Sequence, residues 1–267
     1  MINATVPIVM GILNVTPDSF SDGGEHFVFE AAIARAKVMI AEGVDIIDVG
    51  GESTRPGAER VTQEVERDRV IPVITELANL GATVSVDTMR ASIATAAITA
   101  GATYINDVSG GLADPEMAVV IAANPTIQYI AMHWRGHLTL MNEFSIYGDV
   151  VSEVKHELEQ RVTALIKAGV HPDQIILDPG IGFSKTNEHN WEILRNLDRF
   201  MLLGFPLLVG VSRKRFLADI AGSNLVVDRE NATVVLTGIL AQAGIWGVRT
   251  HTVKPHKEAI SIALELI

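Results

Sequence analysis

The chain contains no cysteine, which excludes disulfides, thiolate metal sites and cysteine nucleophiles and fits a reducing cytoplasm. Basic residues are in deficit: 21 Lys and Arg stand against 32 Asp and Glu, a net charge of −11. That balance argues against nucleic acid or an anionic membrane as the main partner, although a few clustered cations can still bind a small anion. No long apolar run is present; the stretch at 202–211 is interrupted by Gly and Pro and is too short to span a bilayer. The first fifteen residues lack a basic region and lead into a Thr-Pro-Asp turn, so no signal peptide is expected. There is no Gly-x-Gly-x-x-Gly after the first apolar run, no low-complexity linker and no charge block.

What is present is enough apolar material for a full core. The 267 residues are 48% hydrophobic and 20% charged, within the globular range and suited to one domain spanning 1–267. Short β-rich apolar runs fall at 8–11, 46–49, 83–86, 104–106, 127–132, 174–177, 206–210 and 247–250. Helical patterns, with apolar residues three and four apart, follow at 30–41, 63–80, 90–100, 115–123, 150–168, 188–197, 229–243 and 255–266. Gly43, Gly81, Gly101 and Gly169 sit just past helix ends, where a left-handed cap wants no side chain. Strict alternation implies parallel strands with right-handed crossovers. Of the two α/β architectures this allows, a doubly wound open sheet and a (β/α)8 TIM barrel, the chain length and the missing dinucleotide motif favour the barrel.

The polar residues cluster just after the strands. Asn14 opens a Thr-Pro-Asp-Ser-Phe-Ser-Asp-Gly-Gly run, Asp48 precedes Gly-Gly-Glu-Ser-Thr-Arg-Pro-Gly, and Asp87, Asn106 with Asp107, Met132-His133, Asp178, Ser212-Arg213-Lys214-Arg215 and Arg249-Thr250-His251 follow in turn. A barrel converges these segments on its C-terminal face, placing Asp48, Asp87, Asn106, Asp178, Lys214 and Arg249 in one ring. Taken singly, Asp87 or Asp107 reads better as a helix cap, and the glycines at 50–51, 110–111 and 180–182 as turn residues. Together they suggest a polar heterocycle held at depth with phosphate near the rim, where the 212–215 segment opens a short helix whose amides favour an anion.

The strings GILNVTPDSFSDGG, DVGGESTRPGA, SVDT, INDVSGG, MH, DPGIGFSKT, VGVSRKRFL and RTH resemble, in order and over nearly the whole chain, the dihydropteroate synthase family, with an actinobacterial layout around MHWR. That resemblance implies condensation of a pterin diphosphate with 4-aminobenzoate. Asp178 would hold the aminopyrimidinone edge, with Asp87 and Asn106 completing it. Lys214 would face the ring's acceptors, Arg249 would stack on one face, and Val108, Met132, Phe183 and Gly210 would line the slot. The diphosphate would fall to Asn14, Arg55, Ser212, Arg249 and His251, with Mg2+ on Asn14. The 4-aminobenzoate would fall to Phe20, Thr54, Pro56, Lys214 and Arg215, and Asp22 would cover the reacting centre. Asp22, Arg55, Lys214 and Arg249 would be the catalytic group, and His133 is read as structural. The resemblance also implies inhibition by sulfonamides and a homodimer formed through outer helices. Two features depart from the family's pattern: threonine at 250 and 252, and the stretch from 137 to Tyr147. A non-catalytic pterin-binding paralogue and a methyltetrahydrofolate methyltransferase are the competing readings; the latter does not need the SRK or DSFSDGG strings.

Overall fold

The computed structural model describes residues 6–16, 25–52, 61–136, 143–223 and 225–266. Eight strands run in chain order: β1 (Ile8–Asn14), β2 (Ile46–Gly50), β3 (Val84–Asp87), β4 (Tyr104–Asp107), β5 (Gln128–Met132), β6 (Ile175–Asp178), β7 (Leu208–Val209) and β8 (Gly247–Thr250). All pair in parallel, in the order β6-β5-β4-β3-β2-β1-β8-β7. The seam between β6 and β7 closes through a single bridge, Leu177 to Leu207. The expected (β/α)8 barrel is therefore formed. Around it lie α1 (Glu25–Ala41), α2 (Gln63–Asn79), α3 (Ala91–Thr99), α4 (Met117–Ala123), α5 (Val150–Lys167), α6 (Asn187–Arg195), α7 (Leu197–Met201), α8 (Ala218–Ala221), α9 (Glu230–Gln242) and α10 (Lys254–Leu264). None of the described helices is long and apolar enough to cross a membrane.

Strand parity explains the two layers. Side chains alternate across a strand, and one parity (Val9, Leu13, Ile47, Val49, Val84, Val86, Ile105, Tyr129, Ile175, Leu177, Val209, Val248) packs outward into the large core shared with the helices. The other parity faces the lumen. Its lower part is a separate apolar cluster of Met10, Ile46, Ile130, Ile176 and Leu208, with Ile8, Tyr104 and Trp246 against it. One pleat beyond Ile46, Tyr104 and Ile176 stand Asp48, Asn106 and Asp178, and Asp87 of β3 and Arg249 of β8 face the lumen at the same end. On β2, β4 and β6 the apolar floor and polar mouth are thus consecutive lumen positions.

Several boundaries differ from the sequence expectation. β1 continues to Asn14 because its register with β2 holds through Asn14–Gly50. β7 is only two residues long; Pro206 has no amide to give a ladder, and Gly210 leaves the sheet toward the SRK segment. The expected helix at 188–197 is two, α6 and α7, broken at Asn196, and α8 adds a further short one. The four predicted glycine caps have positive φ, between 78° and 107°.

Candidate active site

A guanidinium crosses the mouth of the barrel. Arg249, from β8, donates through Nε to Asp48 Oδ2 at 2.6 Å and through Nη2 to Asp87 Oδ2 at 2.7 Å. Asn106 Nδ2 donates to the same Asp48 oxygen at 2.9 Å. Side chains of β2, β3, β4 and β8 are thereby joined in one network. Burial works against the Arg249 charge, but Asp48 and Asp87 more than offset it, and its pKa is raised. Burial pushes the Asp87 carboxyl well up, against the pull of Arg249. Asp48 is fully buried, and its second oxygen, like the Ser85 hydroxyl opposite it in the β2–β3 register, has no direct partner among the described residues. The sequence placed Asp48 in the ring but gave it no task; here it anchors Arg249. Neither residue that could have been a helix cap is one: Asp107 points outward and fastens the turn that follows β4, accepting from Ser109, Gly111 and Tyr129, while Glu116 is the N-cap residue of α4. The Asp87 carboxylate holds Arg249.

Asp178, at the end of β6, faces this network from the other side. It is 6% exposed, and Oδ1 accepts from the Gly180 amide at 2.7 Å. Burial raises its pKa, opposed by Lys214, that amide, Arg249 and Lys185. Gly180 is required here: its φ is +68°, and a Cβ would lie 2.5 Å from the His133 carbonyl oxygen. Lys214 lies across the same segment, its Nζ donating to Ile181 O and standing 4.7 Å from the centre of the Phe183 ring. A Cβ at Gly182, where φ is +79°, would collide with the Lys214 stem at 2.9 Å. Burial pulls the Lys214 amine down to about 8, held up by Asp178 and lowered further by Arg249. Gly210 leaves open the space between Arg249, Lys214 and Asp178, whose atoms lie 3.8 to 3.9 Å from where its Cβ would be. Met132, register-paired with Asp178, is buried beside it; Val108 and Phe183 are half-buried on the neighbouring turns.

The SRK segment is fastened from behind. Arg213 is a non-glycine residue at φ +56°, a conformation that costs energy and gathers at functional sites. Its amide donates to Thr233 Oγ1, its carbonyl accepts from Arg229, and its guanidinium pairs with Glu230. Despite burial, Glu230 is held down at about 2 by His256, Thr252 and Arg213. Thr252, one of the two departures from the family pattern, thus joins this support. Ser212 Oγ lies 2.9 Å from His251 Nδ1, and Arg35 of α1 holds the His251 carbonyl at 2.9 Å. The segment opens a 3-10 turn, Arg215–Leu217, ahead of the four-residue α8, instead of a regular helix. It can offer an anion its loose amides but little helix dipole. Arg215 is exposed.

At the far end, Asn14 closes β1, and a Cβ at Gly50 would lie 3.4 Å from Asn14 Oδ1 and 3.7 Å from Asp87 Cβ. Gly50 therefore keeps a gap in front of one neutral oxygen. No group of three His, Cys, Asp or Glu among the described residues is placed to hold a metal. Phe20, Asp22, Thr54, Arg55 and Pro56 lie outside the described residues. All the other predicted site residues sit on this one rim.

Comparison with known proteins agrees with this geometry. The pterin binding enzyme family matches residues 10–251. The dihydropteroate synthase of Mycobacterium leprae is 46% identical over 264 residues, covering 95% of this chain and 91% of that protein. The solved structure of Xanthomonas albilineans dihydropteroate synthase with 4-aminobenzoic acid superposes with a TM-score of 0.91 at 40% identity, covering 97% of this chain and 93% of its own. That of the Yersinia pestis dihydropteroate synthase with a sulfonamide drug gives 0.92 at 36% identity, covering 99% and 96%.

The Asp48 anchor makes a stability prediction. Asp48→Ala leaves Arg249 with one partner and Asn106 without its acceptor, so unfolding by denaturant should show a loss of about 3 kcal/mol or more, the usual result of breaking a buried ion pair. A loss under about 1 kcal/mol, typical of an exposed pair, would contradict the role.

Proposed function

The chain belongs to the pterin-binding enzymes, and among them to the dihydropteroate synthase family, and we propose that it condenses 6-hydroxymethyl-7,8-dihydropterin diphosphate with 4-aminobenzoate, releasing 7,8-dihydropteroate and diphosphate on the route to folate. The observation that carries this reading is that a buried carboxylate and a half-buried ammonium, Asp178 and Lys214, border the same space on one side of the lumen mouth. Opposite them stand Asp87, Asn106 and a fixed guanidinium. An aminopyrimidinone edge offers two adjacent N–H donors, which a carboxylate accepts in parallel. Asp178 takes them, Asp87 and Asn106 complete the edge, and Lys214 donates to the ring's acceptors. Arg249, its plane set by Asp48 and Asp87, offers a flat face for stacking. Val108, Met132, Phe183 and Gly210 bound the slot.

In the reaction, the bond from the pterin methylene carbon to the diphosphate oxygen breaks early, and its electron pair leaves with the diphosphate. The arylamine lone pair then forms the new C–N bond, and the surplus proton on nitrogen passes to solvent. The amine is nucleophilic enough to need no strong base. The charge gathering on the leaving group is what the protein must stabilise. Ser212, His251, Arg249 and Arg55 are assigned to it. Asn14 fits Mg2+: the ion keeps several waters and takes one or two protein oxygens when diphosphate supplies the rest, and Gly50 leaves the Asn14 oxygen uncovered. When bound there, the ion would neutralise diphosphate charge. Phe20, Thr54, Pro56, Lys214 and Arg215 are assigned to 4-aminobenzoate, and Asp22 to covering the reacting carbon. Sulfonamides should compete with 4-aminobenzoate. The cysteine-free composition suits a cytoplasmic enzyme.

A second copy of the chain is proposed to cover the outer face of α9 and α10. Val235 and Ile239, one helical turn apart, are 66% and 57% exposed, and Ile262 of α10 is 65% exposed. Contiguous exposed apolar surface of this kind marks an interface. Light scattering should give twice the chain mass, and Val235→Asp with Ile239→Asp should give a monomer; a monomeric parent protein would refute the dimer.

The activity is tested by following diphosphate release from pterin diphosphate and 4-aminobenzoate, with and without Mg2+. Turnover that needs Mg2+ and is abolished with pterin binding in Asp178→Ala is expected. Pterin binding without turnover would identify a non-catalytic relative instead.

The ammonium form of Lys214 is the one that donates, so binding is lost as pH rises through its pKa. The kcat/KM for pterin diphosphate should therefore fall above a pH of about 8, and Lys214→Arg should move that limb to higher pH. A limb unmoved by the substitution would rule out Lys214 as its source.

A further inference from the structure

One buried cation has no part in the reading above. Lys185 is 9% exposed, and its Nζ reaches three acceptors: His133 Nδ1 at 2.9 Å, Phe183 O at 3.0 Å and Gly180 O at 3.1 Å. An ammonium has three N–H donors and no acceptor, so the three contacts saturate it. Accepting at Nδ1 fixes the His133 tautomer, with Nε2–H donating to Glu157 Oε2 at 2.9 Å. Glu157, on α5, is gripped in turn by Arg135, which lies 3.8 Å over the Tyr147 ring and also pairs with Glu153. The line runs from the barrel mouth to the outer helix layer.

The acceptors show what the ammonium organises. Gly180 and Phe183 belong to the segment that follows Asp178, and that segment supplies the site with its Gly180 amide for Asp178, its Ile181 carbonyl for Lys214 and its Phe183 ring beneath the Lys214 ammonium. The segment doubles back sharply, with Gly180, Gly182 and the non-glycine Ser184 all at positive φ. Two of its carbonyls turn inward onto Nζ. His133 supports the same strand end, its amide donating to Asp178 O at 2.8 Å.

We propose that Lys185 is a positioning residue, whose buried ammonium, oriented by His133 and Glu157, is the fixed point around which the 179–185 segment folds to set Asp178 and Lys214 for the pterin edge. This rests on the pterin-binding reading of the site. The charge also acts directly: Lys185, with Lys214 and Arg249, favours the ionised form of Asp178 against its burial. Burial pulls Lys185 itself down to about 7, with Lys214 and Arg135 lowering it and Asp178 and Glu157 holding it up. It is therefore charged at pH values below that. His133, pulled down to about 4 by burial and by Lys185 and Arg135 against Glu157, is neutral and accepting above that pH.

The test is calorimetric binding of 6-hydroxymethyl-7,8-dihydropterin to the full-length protein from acid to neutral pH, with steady-state kinetics alongside. Lys185→Met should weaken pterin binding on the order of ten- to a hundredfold, the scale of a small misplacement of binding groups. It should also move the acid limb of the affinity to higher pH, because Asp178 loses a favourable charge. The KM for pterin diphosphate should rise with the loss of affinity. His133→Asn, which keeps an acceptor facing Nζ, should retain most of the affinity, and His133→Leu should reproduce Lys185→Met. A folded Lys185→Met with parent affinity and an unmoved acid limb would overturn the proposal. If that variant does not fold, equal effects from the two His133 substitutions would do so. A parent protein that binds no pterin overturns the functional reading, and this role with it.

Discussion

The guanidinium of Arg249, held between Asp48 and Asp87 over an apolar floor, ties the chemistry of the mouth to the architecture of the barrel. Side chains on these strands alternate between lumen and helix layer, so a slip of one residue in β2 or β3 would turn Asp48 or Asp87 outward among the helices and leave the buried arginine with one partner in place of two. The network is therefore a register lock as well as a feature of the site. The floor of Met10, Ile46, Ile130, Ile176 and Leu208 keeps water from below, and in such surroundings each ionic contact is stronger and each unmet one more costly.

Charge counting at the mouth explains what the ligand must bring. Among the described residues the carboxylates Asp48, Asp87 and Asp178 face the cations Arg249, Lys214 and Lys185, three against three, in a chain that is acidic overall. A flat neutral heterocycle exchanging hydrogen bonds with these groups leaves the balance undisturbed. A diphosphate does not, and Arg249, the one of these cations assigned to it, already shares its charge with two carboxylates. This is the physical case for the proposed divalent ion at Asn14 and for the proposed part of Arg55.

Much of this was legible in the sequence because the signal is positional. VSVD and IILD are apolar at the outward positions and polar at the last inward one, IIDVG and YIND carry Asp48 and Asn106 inward beside apolar outward neighbours, and each run gave both the strand and the site residue it carries. What escaped was of two kinds. Short elements carry too few turns for a helical period: α7 has five residues and α8 four, and β7 was overestimated because its flanking apolar residues belong to loops. The second kind is partnership across distance. Nothing local at Asp48 says that Arg249, 201 residues later, will need it. His133 was read as structural and Lys185 received no role, because an ammonium saturated by one ring nitrogen and two carbonyls leaves no trace in spacing. Which of Asp87 and Asp107 serves the site was likewise settled by which face of the sheet each occupies.

The two lysines of the site share a local device that bears on how the mouth can bind without first rearranging. Lys185 follows Ser184 and Lys214 follows Arg213, and both preceding residues are non-glycines in the left-handed region. Such a residue reverses the chain locally and costs about 1–3 kcal/mol unless its surroundings impose it. Glycine would remove that cost, but it would also return the freedom that a fixed site must give up on binding. Arg213 instead spends its side chain on Glu230 and its backbone on Thr233 and Arg229, and Ser184 is buried at 2% exposure. The rest of the fold thus bears the strain during folding, and both ammonium groups stand in place before any ligand arrives. A heterocycle entering the mouth then meets both ammonium groups already fixed, so little of its binding free energy is spent on ordering them.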